Sequence, residues 1–551
     1  MKRRLIFRTI LFSLGLTSGF WSCADRMPRG HVPLVLLGID GASWDVIDDM
    51  IARGELPGFQ RLKSHGVCGP LETFRPTESV SIWTSIGTGV DPSRHMIQTF
   101  MRRIPGTDQL VCTPSTDRRV PALWNIASRS DRTVLCVKWF ASWPAEEVNG
   151  QMLSSRLEDD AGGLQTYPTD LYKQISDYRD KTILPTFPKP STRNHIQVDD
   201  DQPPKPGMLM GRNRVQERMF DDTSVWLAAR DLYRAGKPDL FMIYFKSLDR
   251  VQHFLWGAHK QAVRPDATEA QKQDGEVMFA WYRYFDSIIR ELMQDPDRIL
   301  MVVSDHGFQS IESVQQIHDM HDINPDLMLA HLGFLTRTPR DQTDWPHTQA
   351  YTTRLLPFSH RIDINLNRIG REPNGIVSDD QVSALVELLT GRLQSIRTTT
   401  GTPLFKSIKS AGSPDLICLL DETVSIEDAV LVDDQTVPLT TWIQVKEQPS
   451  GVHIDAPPGI FAMIGPGVRK GEWITTASVF DITPSSLYCL GLPIAEDVKG
   501  RCLTECFNPG QIRQRPITTV PSYGDRRVDS TLIHSDGDDR LKEELKALGY
   551  I

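Results

Sequence analysis

Residues 31–40 read HVPLVLLGID, and Gly41 follows. A short apolar run without helical periodicity reads as a parallel strand buried on both faces, with Asp40 at its carboxyl end. A helix pattern comes next, with Val46, Ile47 and Ile51 on one face, and it stops at Gly54. Three further apolar runs read as strands: 239–245 (DLFMIYF), 298–304 (RILMVVS) and 459–465 (GIFAMIG). Strands alternating with helices define an α/β protein with a mainly parallel sheet. Ligands of such sheets gather beyond the carboxyl ends of the strands. Asp40 and Asp305 both fall there, which suits one shared site.

The chain has 551 residues, 40% of them hydrophobic and 24% charged, so it can bury a large core. The net charge of -9 argues against non-specific nucleic-acid binding. Residues 1–23 are read as an export signal. Lys2, Arg3, Arg4 and Arg8 precede an apolar run over 9–21, too short for a comfortable membrane span. Ser22-Cys23 could close a lipoprotein signal, although Phe20 and Trp21 make a poor lipobox. The expected location is the periplasm or the cell envelope, held there by a lipid on Cys23; an uncleaved anchor is the alternative. Cys502 and Cys506 are near enough in sequence to pair, and no C-x-x-C pair suggests a thiolate metal site. Two stretches interrupt the core pattern and read as caps, 151–237 with its prolines (185, 188, 190, 203, 204, 206) and 309–450 with a helix near 381–393. The catalytic domain is expected over 31–507. A polar tail, 508–551, ends in a short helix over 539–548. Oligomeric state is not encoded in any pattern.

Seven residues carry the chemistry: Asp40, Ser79, Asp249, His253, Asp305, His306 and His453. Ser79 introduces a helix pattern that contains Ile82, Trp83 and Ile86. A helix N-terminus suits a phosphate and a serine alkoxide, but it equally suits a capping serine. Thr77 and Ser81 are rival hydroxyls. Asp249 and His253 stand four apart, so a helix puts both on one face. Asp305-His306-Gly307 follows a strand directly, and Gly307 is expected to give the freedom for a turn. His453 precedes a Pro-Pro-Gly loop. Asp249, His253 and His453 can supply one metal site, leaving room for a water or substrate oxygen. Asp40, Ser79, Asp305 and His306 can supply a second, which would activate Ser79 as a nucleophile.

Eight stretches extend this pattern in order: 36–47 (LLGIDGASWDVI), 76–97 (PTESVSIWTSIGTGVDPSRHMI), 140–150 (FASWPAEEVNG), 238–256 (PDLFMIYFKSLDRVQHFLW), 302–308 (VVSDHGF), 362–377 (IDINLNRIGREPNGIV), 451–468 (GVHIDAPPGIFAMIGPGV) and 480–501 (FDITPSSLYCLGLPIAEDVKGR). With them the chain closely resembles the alkaline phosphatase superfamily, in its type I phosphodiesterase/nucleotide pyrophosphatase family, bacterial branch. The resemblance implies a mainly parallel sheet sandwiched by helices, with inserted caps. It implies metal-dependent hydrolysis of a small phosphate ester through a phosphoserine on Ser79. Two divalent ions are implied, zinc first and manganese as the alternative. One is assigned to Asp40, Asp305 and His306, the other to Asp249, His253 and His453. The leading activity is a phosphodiesterase; a phosphomonoesterase or a non-catalytic metal-binding member are the alternatives. One position departs from the family. Where the pyrophosphatases keep an Asn that holds a phosphate oxygen, this chain has Phe100. Arg75, Lys246 and Arg250 lie near the motifs and can be read as phosphate-substituent binders or as structural charges. Ser79 lacks the C/S-x-P-x-R context of the sulfatases.

Overall fold

The computed structural model describes residues 30–526 apart from 105–106, 108, 158–163, 184–211, 311–322, 340–341, 353–360, 413, 422, 426–427, 443–449 and 454–455, together with 538 and 542. The signal reading over 1–23, the six prolines of the first cap and, residue 542 apart, the tail helix over 539–548 lie outside the described residues.

The apolar runs form the strands of one sheet. Its members are β1 (Leu34–Ile39), β2 (Val67–Glu72), β3 (Val134–Val137), β4 (Gly150–Leu153), β5 (Thr166–Tyr167), β6 (Leu240–Phe245), β7 (Ile299–Val303) and β8 (Gly459–Ile464). Their spatial order is β2-β8-β7-β1-β6-β3-β4-β5, with Glu472–Trp473 and Ala477–Ser478 pairing on β2. The five strands from β7 to β4 run parallel. β8 is antiparallel to both β7 and β2.

Alternate residues of β1 feed opposite cores, which is why the run shows no helical period. Leu34 and Leu36 pack on one side with α3 (Ser79–Thr88) and α8 (Ile482–Cys489). Val35, Leu37 and Ile39 pack on the other with α1 (Trp44–Ala52), α2 (Pro57–His65), α4 (Arg212–Gly236), α5 (Ser247–Ala262) and α6 (Glu269–Leu292). A buried leucine here is worth about 2–5 kcal/mol against alanine. The sheet is therefore sandwiched by helices, the arrangement that the sequence resemblance implies.

The stretch 151–237 differs from its sequence reading as a cap. β4 pairs in parallel with β3, β5 forms the sheet edge, and Val225, Trp226 and Ala229 of α4 pack into the core. Short strands among prolines and polar residues give no legible period. Residues 309–450 hold a separate core around Leu329, Leu389 and Trp442. That core is built on the antiparallel strands Ala350–Thr352, Arg361–Leu366, Leu416–Leu420 and Phe405–Ser410, with α7 (Asp379–Ser395) against them. Cys502 and Cys506 do not pair: both are free, buried thiols. Burial pushes Cys502 up to about 12, so it behaves as a small apolar side chain.

Candidate active site

Three neighbouring parallel strands end at one edge, and the chain places a carboxylate just beyond each. Asp40 follows β1, Asp305 follows β7, and Asp249 stands in the first turn of α5, after β6. Gly38 pairs with Val303, so the register carries Asp40 and Asp305 forward as neighbours. β8 runs the opposite way, so its start lies at this same edge. That is why His453, before β8, joins residues from the ends of β1 and β7. β2 is antiparallel to β8, so its end also delivers the chain here and leads into Ser79.

Ser79 is the first residue of α3, and Glu78 is the N-cap, so Ser79 is not the capping serine. Its Oγ lies 3.3 Å from His306 Nε2. The same Nε2 is 3.4 Å from Asp40 Oδ1 and 3.2 Å from Asp305 Oδ2. All seven sequence-predicted residues are buried. Asp40, Asp305 and His306 each offer a ligand atom within 4.8 Å of the others, and so do Asp249, His306 and His453. His306 thus belongs to both groups, where sequence reasoning gave it to one. His253 stands beside the second group, its Nε2 3.6 Å from Asp249 Oδ2 and its ring 5.2 Å from that of His453. The site is one continuous cluster.

The histidines share an orientation. His306 Nδ1 donates to Gly307 O at 3.0 Å, and His253 Nδ1 donates to Gly451 O at 3.0 Å. Thr77 Oγ1 donates to His453 O at 2.9 Å, so it accepts from His453 Nδ1 at 3.3 Å. Fixing Nδ1–H on an oxygen leaves Nε2 as the ligand nitrogen. Thr77, a rival nucleophile by sequence, is thereby engaged in holding His453. Gly307 has no positive φ. A Cβ there would lie 2.8 Å from Pro457 O, so glycine serves close approach and not the turn.

Burial, with the Asp305 and Asp249 charges adding, holds Asp40 well above the usual carboxylate range. Burial, with Asp249 adding, pushes Asp305 up to about 7. Burial lowers His253, and burial beside His306 and His253 holds His453 well below the imidazole range. Every shift disfavours charge, the pattern of a functional cluster.

Sequence reasoning missed the residues behind these ligands. Tyr244 Oη donates to Asp40 Oδ2, and Trp83 Nε1 donates to the same oxygen at 3.3 Å. Gln252 Nε2 donates to Gly41 O at 2.7 Å, while its Oε1 accepts from Tyr282 Oη at 2.8 Å. Tyr244 and Trp83 look like core aromatics in sequence; only the fold aims their polar tips. Phe100 packs on Phe140 at 5.5 Å, and Phe140 on Tyr244 at 4.7 Å, an aromatic wall that also includes Val80 beside Ser79. Arg75 is exposed, Lys246 half-buried and Arg250 buried.

The parallel sheet and this edge define an α/β protein with a buried carboxylate–imidazole cluster beyond its strand ends. Within that class, the chain belongs to the type I phosphodiesterase/nucleotide pyrophosphatase family, which matches residues 34–433. It is a phosphodiesterase/pyrophosphatase-type hydrolase of a family that binds divalent metals and acts on small phosphate esters or nucleotides. No curated protein matches the chain. Among solved structures it is similar to murine ectonucleotide pyrophosphatase/phosphodiesterase 5, an inactive form in complex with AMP. Identity is 11%, covering 87% of this chain and 100% of that one, with a TM-score of 0.47. The human protein of the same name gives 11%, 86%, 100% and 0.46.

Proposed function

We propose that the protein hydrolyses phosphodiesters with two divalent cations, zinc first and manganese as the alternative, and with Ser79 as nucleophile. The carrying observation is Ser79 Oγ at 3.3 Å from His306 Nε2, at a helix N-terminus among three buried carboxylates. The donor set fits such cations. Asp40 Oδ1, Asp249 Oδ1 and Asp305 Oδ2 are buried and accept no hydrogen bond. Each such oxygen costs about 1–3 kcal/mol or more when unsatisfied, and a cation is the partner that suits carboxylate oxygen with imidazole nitrogen. Asp40, Asp305 and His306, with Ser79, would hold one ion; Asp249, His253 and His453 would hold the other. Bound cations lower the pKa of a nucleophilic hydroxyl and neutralise charge on the phosphoryl oxygens.

The chain's own part is positioning and attack. Ser79 Oγ attacks phosphorus in line, the bond from phosphorus to the leaving oxygen breaks, and a phosphoserine forms. Water then attacks the same phosphorus, the bond from phosphorus to Ser79 Oγ breaks, and the departing Ser79 oxygen takes up a proton that the water gives up. Ser79 and Val80 open α3 ahead of the Ser81 and Ile82 N–H groups, which donate to Glu78 O, and such a helix N-terminus suits an incoming negative charge. The Phe100 ring offers no donor to a phosphoryl oxygen, which favours ester over pyrophosphate cleavage.

Rates on bis-p-nitrophenyl phosphate and p-nitrophenyl phosphate test the reading, and the diester is expected to be the better substrate. A clear monoester preference makes the protein a phosphomonoesterase. Active protein should carry two equivalents of metal; less than one equivalent sinks the two-ion mechanism. Ser79→Ala should abolish both activities, and normal turnover would place the nucleophile elsewhere. Export to the periplasm or envelope is part of the proposal, and cell fractionation with labelled palmitate checks it. Among the described residues no helix is long and apolar enough to cross a membrane.

A further inference from the structure

We infer that Tyr244 and Trp83 form a two-donor clamp that leaves Asp40 one free oxygen, Oδ1, to offer the cation that would bind beside Ser79, an inference that rests on the metal reading above. Both donors, Tyr244 Oη and Trp83 Nε1, converge on Asp40 Oδ2. Oδ1 is left facing His306 Nε2 at 3.4 Å, without a hydrogen bond. A carboxylate with both oxygens free could chelate one ion or bridge towards a neighbour. Tying Oδ2 from behind removes both options and fixes the rotation of the group. Asp305 is held differently, with one backbone donor, Gly41 N, at 3.4 Å on Oδ1.

The clamp is itself held. The Tyr244 ring lies 4.8 Å from that of Trp83, 4.7 Å from Phe140 and 6.4 Å from Trp139. Trp139 Nε1 donates to Trp83 O at 3.0 Å. Gly38 sits across from Tyr244 in the β1–β6 register, and a Cβ there would lie 2.6 Å from the Trp83 ring. The glycine inside an apolar strand is therefore the space that lets both donors reach Asp40. Tyr244 and Trp83 are positioning residues, acting through Asp40.

The test is zinc titration of metal-free protein against a chromophoric chelator, for wild type, Tyr244→Phe and Trp83→Phe, beside kcat and KM on bis-p-nitrophenyl phosphate. Wild type should show two binding steps. Tyr244→Phe should weaken one step by about 10–100-fold and leave the other unchanged. Its kcat should fall at limiting zinc and recover with excess zinc, KM staying constant. Trp83→Phe should weaken the same step less, and it stands in should Tyr244→Phe fail to fold. Two unchanged steps in a folded variant overturn the clamp while leaving the metal reading intact. A wild type that binds less than one equivalent overturns the metal reading, and the clamp with it.

Discussion

Asp40 and Asp415 are both buried, at 2% and 4% exposure, and the chain treats them oppositely. Asp415, in the 309–450 region, accepts Leu366 N–H at 2.7 Å and a two-pronged Arg371 pair at 2.7 and 3.2 Å. Its charge is answered from within the chain, as structural carboxylates require. Asp40 shares its edge with two other carboxylates, and Oδ1 accepts no hydrogen bond. The lesson is that burial alone does not distinguish a structural acid from a functional one; the accounting of each oxygen does.

Exchanging carboxyl for amide at both positions sharpens the contrast. Asp40→Asn should lower kcat/KM by roughly 10²–10⁴-fold, the several kcal/mol that cation chemistry supplies, with the fold retained by circular dichroism. Asp415→Asn should leave the chemistry intact and cost about 2–3 kcal/mol in urea unfolding. That lies just below the roughly 3–5 kcal/mol of a broken, fully buried pair, because Arg371 keeps contact with water. Equal activity losses from the two changes would break the comparison. In metal-free protein, Asp40→Asn should stabilise by about 1–2 kcal/mol, since one of three clustered carboxylates is removed. A destabilised metal-free variant would mean that Asp40 holds the fold as Asp415 does.

His95 is an intermediate case: buried, and engaged through both nitrogens. Ile97 N–H donates to Nδ1 at 3.0 Å, so Nε2–H donates to Ser85 Oγ at 3.0 Å. Burial, with Arg118 beside it, lowers its pKa to about 3, so the native state keeps it neutral. The unfolded chain takes up a proton below about pH 6.5 and the native state does not. Stability is therefore lost as pH falls from about 6.5 towards 3, at up to about 1.4 kcal/mol per unit. His95→Asn keeps the acceptor for Ile97. Urea unfolding at pH 7.5 and pH 5.5 should show about 1.4 kcal/mol less acid loss in the variant. An unchanged difference would mean that His95 does charge in the native state.

The strand ends were legible because apolar runs over 34–39, 240–245 and 299–303 stop at polar chemistry, and a parallel sheet gathers such ends on one side. The Asp249–His253 spacing was legible because a helix has one period. The direction of β8 was not: GIFAMIG carries no mark of an antiparallel partner, although that direction is what brings His453 in. Nor could a sequence show that His306 faces both groups. Tyr244, Trp83 and Thr77 were hidden for a shared reason. A side chain that acts through its neighbour has no spacing of its own to detect.

β8 also fixes an order of events. It lies between β7 and β2, yet it is made only after the whole 309–450 region. As the chain emerges from the ribosome, β2 waits without its neighbour while about 390 residues are added between Glu72 and Gly459. β8 is the strand that links β2 to the rest of the sheet, and the segment leading into it carries His453. A product stopped before residue 450 keeps six of the seven site residues but has neither a continuous sheet nor a finished site.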